Sequence, residues 1–440
     1  MENRRSFIKK SVLGAAGASM AFSASSYARI IGANDRVHIA VAGLNGRGKA
    51  LGLSALKTPG ASVRYLCDVD NRQFSTFKDM LVKAGHDDKL KEVEDYRKLV
   101  EKKDLDAVAI ATPEHWHAPM AIMAMQAGKH VYVEKPCAHN PFECELLVEA
   151  QKTYGKTVQM GNQQRSAPSS IQTIKDINNG IIGNPYYGKA WYSNSRGSIG
   201  RAQKTAVPDW LNWELWQGPA PRKDFENIWV HYNWHWNRNW GTGEIHNNGT
   251  HELDICRWAL GVDYPNRVTS SGGRFHFEDD WQFYDTQLAN FEFDGNKMIS
   301  WEGKSCNPST FFGEGRGAAI YGTEGYAILT RNGTRTYNKS GELIKELKED
   351  EQSATLNTVG IGALDLKHMT NFIKGIQSVE TLNAPIDDAS ISTMLCHLGN
   401  ISQDVQRSLN IDPTNGRILK DEEAMKFWKR EYEPGWELKV

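Results

Sequence analysis

Glu134-Lys135-Pro136 closes an apolar run that begins at His130, and the run follows a glycine-rich turn, Gly43-Leu44-Asn45-Gly46-Arg47-Gly48, earlier in the chain. A lysine at the carboxyl end of a strand can relay a proton to or from a hydroxyl while a hydride moves between carbon and a nicotinamide. Pro136 biases Glu134-Lys135 toward extended geometry, so the backbone aims the amine. A full dinucleotide fingerprint would place glycine at position 45, where this chain has Asn45. Asparagine tolerates left-handed angles better than most residues, so the tight turn is expected to survive with the next helix facing a pyrophosphate. Asp68 ends the following strand, where a carboxylate accepts hydrogen bonds from ribose hydroxyls and repels a 2′-phosphate. NAD is therefore favoured over NADP. The next strand ends in Ala111-Thr112-Pro113-Glu114-His115-Trp116-His117. Thr112 and Pro113 can shape the floor under the nicotinamide ribose, while His117 can touch the cofactor or cap a helix. The expected cofactor contacts are Gly43, Asn45, Gly46, Arg47, Gly48, Asp68, Thr112, Pro113, His117, Glu134 and Lys135.

Such residues need a scaffold. Short strands rich in Val, Ile, Tyr or Ala are predicted at Val37-Ala42, Ser62-Cys67, Ala107-Ala111, His130-Glu134 and Thr157-Met160. Helical stretches lie between them at Gln73-Ala84, Ala118-Ala127 and Phe142-Tyr154, so the repeat implies a doubly wound parallel sheet. After Gly161 the strands grow longer and aromatic. Thr286-Phe293 and Lys297-Glu302 flank an Asp-Gly-Asn turn, and Asn332-Gly333 separates another strand pair, which points to a mostly antiparallel sheet. Helices return at Asp254-Leu260, Leu364-Ile376 and Ile391-Leu409. The expected fold is α/β: a Rossmann domain over 35–160, then an α+β domain with a large antiparallel sheet over 161–440. Arg4-Arg5 before the weakly apolar Val12-Ala24 reads as a twin-arginine export signal over 1–28, implying a periplasmic protein.

The glycine turn, Thr112-Pro113 with His117, and Glu134-Lys135-Pro136, in this order, resemble the glucose-fructose oxidoreductase, inositol dehydrogenase and rhizopine catabolism family (Gfo/Idh/MocA). The resemblance continues through Gln159 to Arg165 and through Gly241-Thr-Gly-Glu-Ile-His-Asn-Asn-Gly-Thr-His251-Glu-Leu-Asp254. It implies that Lys135 acts on a substrate hydroxyl and that His251 completes the site. The family usually has aspartate four residues before that histidine, and this chain has Asn247. An amide can orient a sugar hydroxyl but cannot act as a base. His246 and Glu244 are both available to replace the missing carboxylate. In this reading His251 titrates near neutrality and takes the hydroxyl proton, while Lys135 stabilises the developing alkoxide. Lys135, His251 and Asn247 are the catalytic candidates, and Gln163, Arg165, Trp236 and His246 the candidate substrate contacts.

Seven of the fourteen tryptophans fall between Trp210 and Trp240. Indole faces stack on pyranose C–H faces, and at least four of these rings are expected to fill a core instead. His231 and His235 have helix-type spacing without a nearby carboxylate ligand, so no metal is expected. A formal net charge of -1 without a basic cluster argues against a nucleic-acid partner, and no mature segment is long and apolar enough to span a membrane. The six cysteines lack paired metal spacing and read as mostly free thiols. The expected activity is NAD-dependent oxidation of a secondary hydroxyl of a sugar, glycoside or cyclitol, with tightly held cofactor and a homo-oligomer built on the C-terminal sheet. Competing readings are a glycosidase or lyase working through transient oxidation and a non-catalytic NAD-dependent sensor.

Overall fold

The computed structural model describes residues 36–87, 89–349 and 362–440; the export-signal reading over 1–28 lies outside the described residues. The first half runs β1 (Val37–Ala42), α1 (Gly46–Lys57), β2 (Ala61–Cys67), α2 (Arg72–Lys83), β3 (Lys91–Val93), α3 (Tyr96–Val100), β4 (Ala107–Ile110), α4 (His117–Gln126), β5 (His130–Val133), α5 (Pro141–Tyr154) and β6 (Val158–Met160). These strands form one sheet in the order β3-β2-β1-β4-β5-β6, and every neighbouring pair is parallel. Helices cover both faces, which is why β1, β4 and β5 read as nearly unbroken apolar runs instead of alternating. The order reverses between β1 and β4, and there an open α/β sheet takes its ligand. Helix α5 illustrates the local coding: Asn140 accepts from Glu143 N, Pro141 opens the first turn, and Gly155 closes the helix with left-handed angles.

The second sheet has nine strands: β7 (Pro185–Ser193), β8 (Arg267–Gly273), β9 (Thr286–Phe293), β10 (Lys297–Lys304), β11 (Arg316–Gly322), β12 (Gly325–Thr330), β13 (Gly333–Asn338), β14 (Leu343–Lys348) and β15 (Leu409–Asn410). Its pairs are antiparallel except β7 with β10. Between β6 and β10 lie α6 (Pro168–Asn178), the short α7 (Trp213–Gln217) and α8 (Glu244–Asn247), and α9 (Gly249–Leu260). Helix α9 packs on the inner face so closely that a Cβ on Gly188 of β7 would lie 2.9 Å from Cys256 Cβ. The last long helices, α10 (Ala363–Ile376) and α11 (Ile386–Asp404), return to the parallel sheet. Gln159 Nε2 donates to His368 O at 2.9 Å, and Met160 N donates to Ala384 O at 3.0 Å.

Six of the seven clustered tryptophans are buried; Trp213, Trp216, Trp229, Trp234 and Trp240 form a core of their own with Leu211 and Phe225. All six cysteines are free, five of them buried. Among the described residues no helix is long and apolar enough to cross a membrane, and no group of His, Cys, Asp and Glu is arranged to hold a metal ion.

Candidate active site

The β1–α1 turn is built for close approach of a ligand. Gly43 sits at φ +83, where a Cβ would lie 2.5 Å from Ala111 O, and a Cβ on Gly48 would lie 1.8 Å from Gly43 O. A Cβ on Gly46 would meet nothing within 4 Å, which marks the open side of the turn. Asn45 does not take the left-handed angles expected of it. At φ -79 and ψ 177 it is the N-cap of α1, its side chain accepting from Gly46 N, because Gly43 already makes the tight turn. Asp68 accepts from Leu44 N at 2.6 Å and Asp70 N at 2.9 Å, so it braces the turn that it borders. Burial pushes its carboxyl up to about 6 against those two donors. The N-terminus of α1, the uncrowded Gly46 and the carboxylate at the end of β2 fit a dinucleotide.

Lys135 follows β5, and its Nζ donates to the Asn247 carbonyl, with the Asn247 Oδ1 3.4 Å away. Its neighbour Glu134 accepts from Arg47 Nε at 2.6 Å and Gln163 Nε2 at 3.1 Å. Arg47 also donates to Asp365 Oδ1 at 2.6 Å, joining the cofactor turn to α10 and to the lysine loop. His117 fixes the other side: its Nδ1 lies 2.6 Å from Pro136 O and its Nε2 2.8 Å from Thr112 O. Both nitrogens of that buried ring face backbone carbonyls, and a neutral imidazole donates to only one of them, so His117 sits between the lysine loop and the end of β4 with one donor bond across the gap. The Thr112 hydroxyl lies against Met120 Sδ, and Pro113 leads into a single 3-10 turn, Glu114–Trp116.

His251 lies in the first turn of α9, buried, its backbone N–H donating to Asn248 O at 3.1 Å. Burial, then the charges of Arg331, Lys135, Arg316 and Arg47, hold it well below the usual imidazole range. It is therefore a neutral acceptor at physiological pH and not the group titrating near neutrality that was expected. His235 lies near the same lysine; its Nδ1 faces Tyr232 O at 2.6 Å, its ring stacks on Trp234 at 3.6 Å, and burial lowers it to about 3.

The carboxyl that does titrate here is Glu114, which the motif reading passed over. It is 1% exposed, accepts from the Thr242 hydroxyl, and is pushed up to about 7 by burial, with Lys135 pulling it down and Glu244 pushing it up. Its only signal in the sequence is its place just after a strand at the point where the sheet order reverses.

The profile described as "Oxidoreductase family, NAD-binding Rossmann fold" matches residues 37–162, and that of the "GFO/IDH/MocA C-terminal domain" matches residues 215–328. The chain belongs to the Gfo/Idh/MocA oxidoreductase family. Its first half is an NAD-binding Rossmann fold. A glycosyl hydrolase family 109 protein of Solibacter usitatus is 31% identical over 207 residues, which are 45% of this chain and 47% of that protein. The chain thus spans about half the length of this curated relative. The fold is similar to that of the aldose-aldose oxidoreductase from Caulobacter crescentus, with TM-score 0.63 and 17% identity over 86% of this chain and 100% of that one. Levoglucosan dehydrogenase, solved with NADH and levoglucosan, gives TM-score 0.64 and 18% identity over 85% of this chain and 99% of that one.

Within this Gfo/Idh/MocA site Lys135 meets Asn247 directly, and the four candidate substrate contacts have protein partners of their own. Gln163 is buried with its amide on Tyr132 OH and Glu134. All three nitrogens of Arg165 are taken by Asp254 and Asp388. Trp236 is 1% exposed and stacks on Trp281 at 3.8 Å. His246 is fully buried, its Nδ1 3.0 Å from Thr242 O and its ring 4.2 Å from that of His397. Glu244, one of two proposed stand-ins for the absent aspartate, is occupied by Arg196 at 2.7 Å, Ser305 at 3.0 Å and Asn248. A cavity of about 860 Å³ lined in part by Trp229, Trp240 and Trp281 contains none of Lys135, Glu114 or His251. Those three rings are almost wholly buried and present no face for a sugar to stack on.

Proposed function

We propose that this protein is an NAD-dependent oxidoreductase acting on a secondary hydroxyl of a sugar, glycoside or cyclitol. The observation that carries the reading is Lys135, held at the end of β5 by Asn247 while the buried, neutral His251 stands on the adjoining helix. Bound NAD would supply the oxidant for the carbinol carbon. The turn from Gly43 to Gly48 and Asp68 would hold it. Lys135 handles the hydroxyl proton and stabilises the alkoxide, and His251 and His235 accept hydrogen bonds from neighbouring hydroxyls. A panel of sugars, glycosides and cyclitols, assayed by absorbance of reduced nicotinamide, tests the reading. Silence across the panel would remove it.

A second reading is a redox-neutral glycosidase or lyase that oxidises the sugar transiently and releases the aglycone. The family 109 description of the Solibacter relative favours it. Release of an aglycone without net reduced nicotinamide separates the two. Export by the twin-arginine route to the periplasm, with NAD loaded before export, completes the proposal. We further propose that the molecule assembles through the open face of the antiparallel sheet, where Tyr187, Tyr321, Tyr326 and Tyr337 form a continuous ring stack. Exposed Leu288 and Met298 lie on neighbouring strands of that sheet.

A further inference from the structure

We propose that the tryptophan-rich segment from Trp210 to Trp240 is a roof across the cofactor groove, latched at Asp70, and that this latch sets how fast NAD leaves. The roof concerns the NAD site alone, so it stands or falls apart from the choice of substrate.

The strand order supplies the geometry. β1 lies between β2 and β4, so the loops that leave those two strands flank the glycine turn on either side. The tryptophan segment is bonded to both flanks. Beyond β2, Asn71 N donates to Trp210 O at 3.0 Å and Asn212 N donates to Val69 O at 2.9 Å. These bonds make Asp70 and Leu211 an antiparallel bridge just past Asp68, and Val69 packs on the tryptophan core. Beyond β4, the single carbonyl of Trp216 accepts from His115 Nε2 at 2.9 Å and from Trp116 Nε1 at 3.0 Å. Trp240 O accepts from His115 N at 3.2 Å. A segment tied down on both sides of β1 spans its carboxyl end, where an open α/β sheet takes its ligand and where Gly46 leaves the turn uncrowded.

The two footings differ in build. At β4 the footing is a seam of buried rings, His115, Trp116 and Trp216, so tight that a Cβ on Gly218 would lie 1.9 Å from the Trp116 indole. At β2 it is polar and centred on one buried carboxylate. Asp70 accepts from Arg72 Nε at 2.9 Å and Nη2 at 2.8 Å, from Gln73 Nε2 at 3.1 Å, and from His231 Nε2 at 2.9 Å. The Arg72 guanidinium carbon lies 3.4 Å from the centre of the Trp210 ring, which lies 5.5 Å from that of His231. Arg72 is exposed and Trp210 half-buried. Polar contacts at an exposed edge open more readily than a buried ring seam. The roof therefore hinges at β4 and lifts at β2, the side on which Asp68 marks the adenosine ribose.

The bridge itself provides the test. Its flanking bonds run from 71 to 210 and from 212 to 69, so Asp70 and Leu211 are a non-hydrogen-bonded pair. In such pairs the Cα atoms come within about 4.5 Å, which a disulfide can span. The double variant Asp70→Cys with Leu211→Cys lacks the latch when reduced and gains a covalent one when oxidised with glutathione disulfide. Full-length protein loaded with radiolabelled NAD is chased with excess unlabelled NAD, and wild type given the same oxidant serves as the control. The reduced double variant and Trp210→Ala should each release label at least about tenfold faster than wild type. Oxidation should slow the double variant to the wild-type rate or below. Equal release from its oxidised and reduced forms, or wild-type release from Trp210→Ala, would overturn the proposal. So would a wild type that exchanges its NAD within the mixing time, since no roof would then hold it. If the double variant does not fold, Trp210→Ala decides.

Discussion

Burial and the charges of Arg316 and Arg331 pull the Lys135 ammonium below its usual range, while Glu134 and Glu114 hold it up. Lys135→Ala and His251→Ala are each expected to lower turnover by about two to four orders of magnitude with bound NAD content unchanged. Wild-type turnover in either variant would place the proton transfer elsewhere. Asp68→Ala should weaken NAD and relatively improve NADP, which calorimetry with both cofactors would measure. Equal or tighter NAD binding would contradict the assignment of Asp68 to the ribose. The placement of Lys135 and Asp68 just after strands was legible because it follows from a local strand-turn-helix pattern. Glu114 was not, because its environment is made by Thr242, 128 residues further on.

At the scale of elements, the apolar runs located five strands of the parallel sheet to within a residue or so at their ends. The sixth, β3, reads Lys91-Glu92-Val93, a short edge strand with two exposed charged residues that carries no apolar signal. The parallel pairing of β7 with β10, and the return of α10 and α11 to β6, join segments far apart in sequence. Local periodicity cannot encode such contacts. The β1–α1 turn gives the sharpest test at this scale. In Gly48→Ala the new methyl carbon would fall 1.8 Å from Gly43 O, a backbone atom that cannot swing aside as a side chain would. Gly48→Ala should therefore lose most of its NAD binding and unfold at lower temperature. Retained NAD content with an unchanged melting point would show that the turn does not need this contact.

For the whole molecule, the buried histidines set the response to acid. Burial lowers His115 and His397 to about 3 and His368 to about 4. In the unfolded chain each would titrate near about 6.5, so between these values the unfolded state binds more protons. The stability tied to their neutral forms is complete above about pH 6.5 and is lost as pH falls toward the folded values. Asp68 and Glu114 are raised and work in the opposite direction, but His117, His246 and His251 are lowered by burial as well and add to the histidine side. The thermal midpoint should fall steadily below about pH 6.5, and a flat profile down to about pH 4.5 would contradict this account of the buried histidines. The central claim is oxidation of a sugar hydroxyl by protein-bound NAD with Lys135 handling the proton. The most direct measurement loads wild type and Lys135→Ala with equal NAD, adds each member of a sugar and glycoside panel, and follows the absorbance of reduced nicotinamide in a single turnover. Reduced nicotinamide that forms promptly in the wild type and is slowed at least about a hundredfold in the variant is the predicted result. No reduction with any member of the panel, or equal reduction in both proteins, would contradict it.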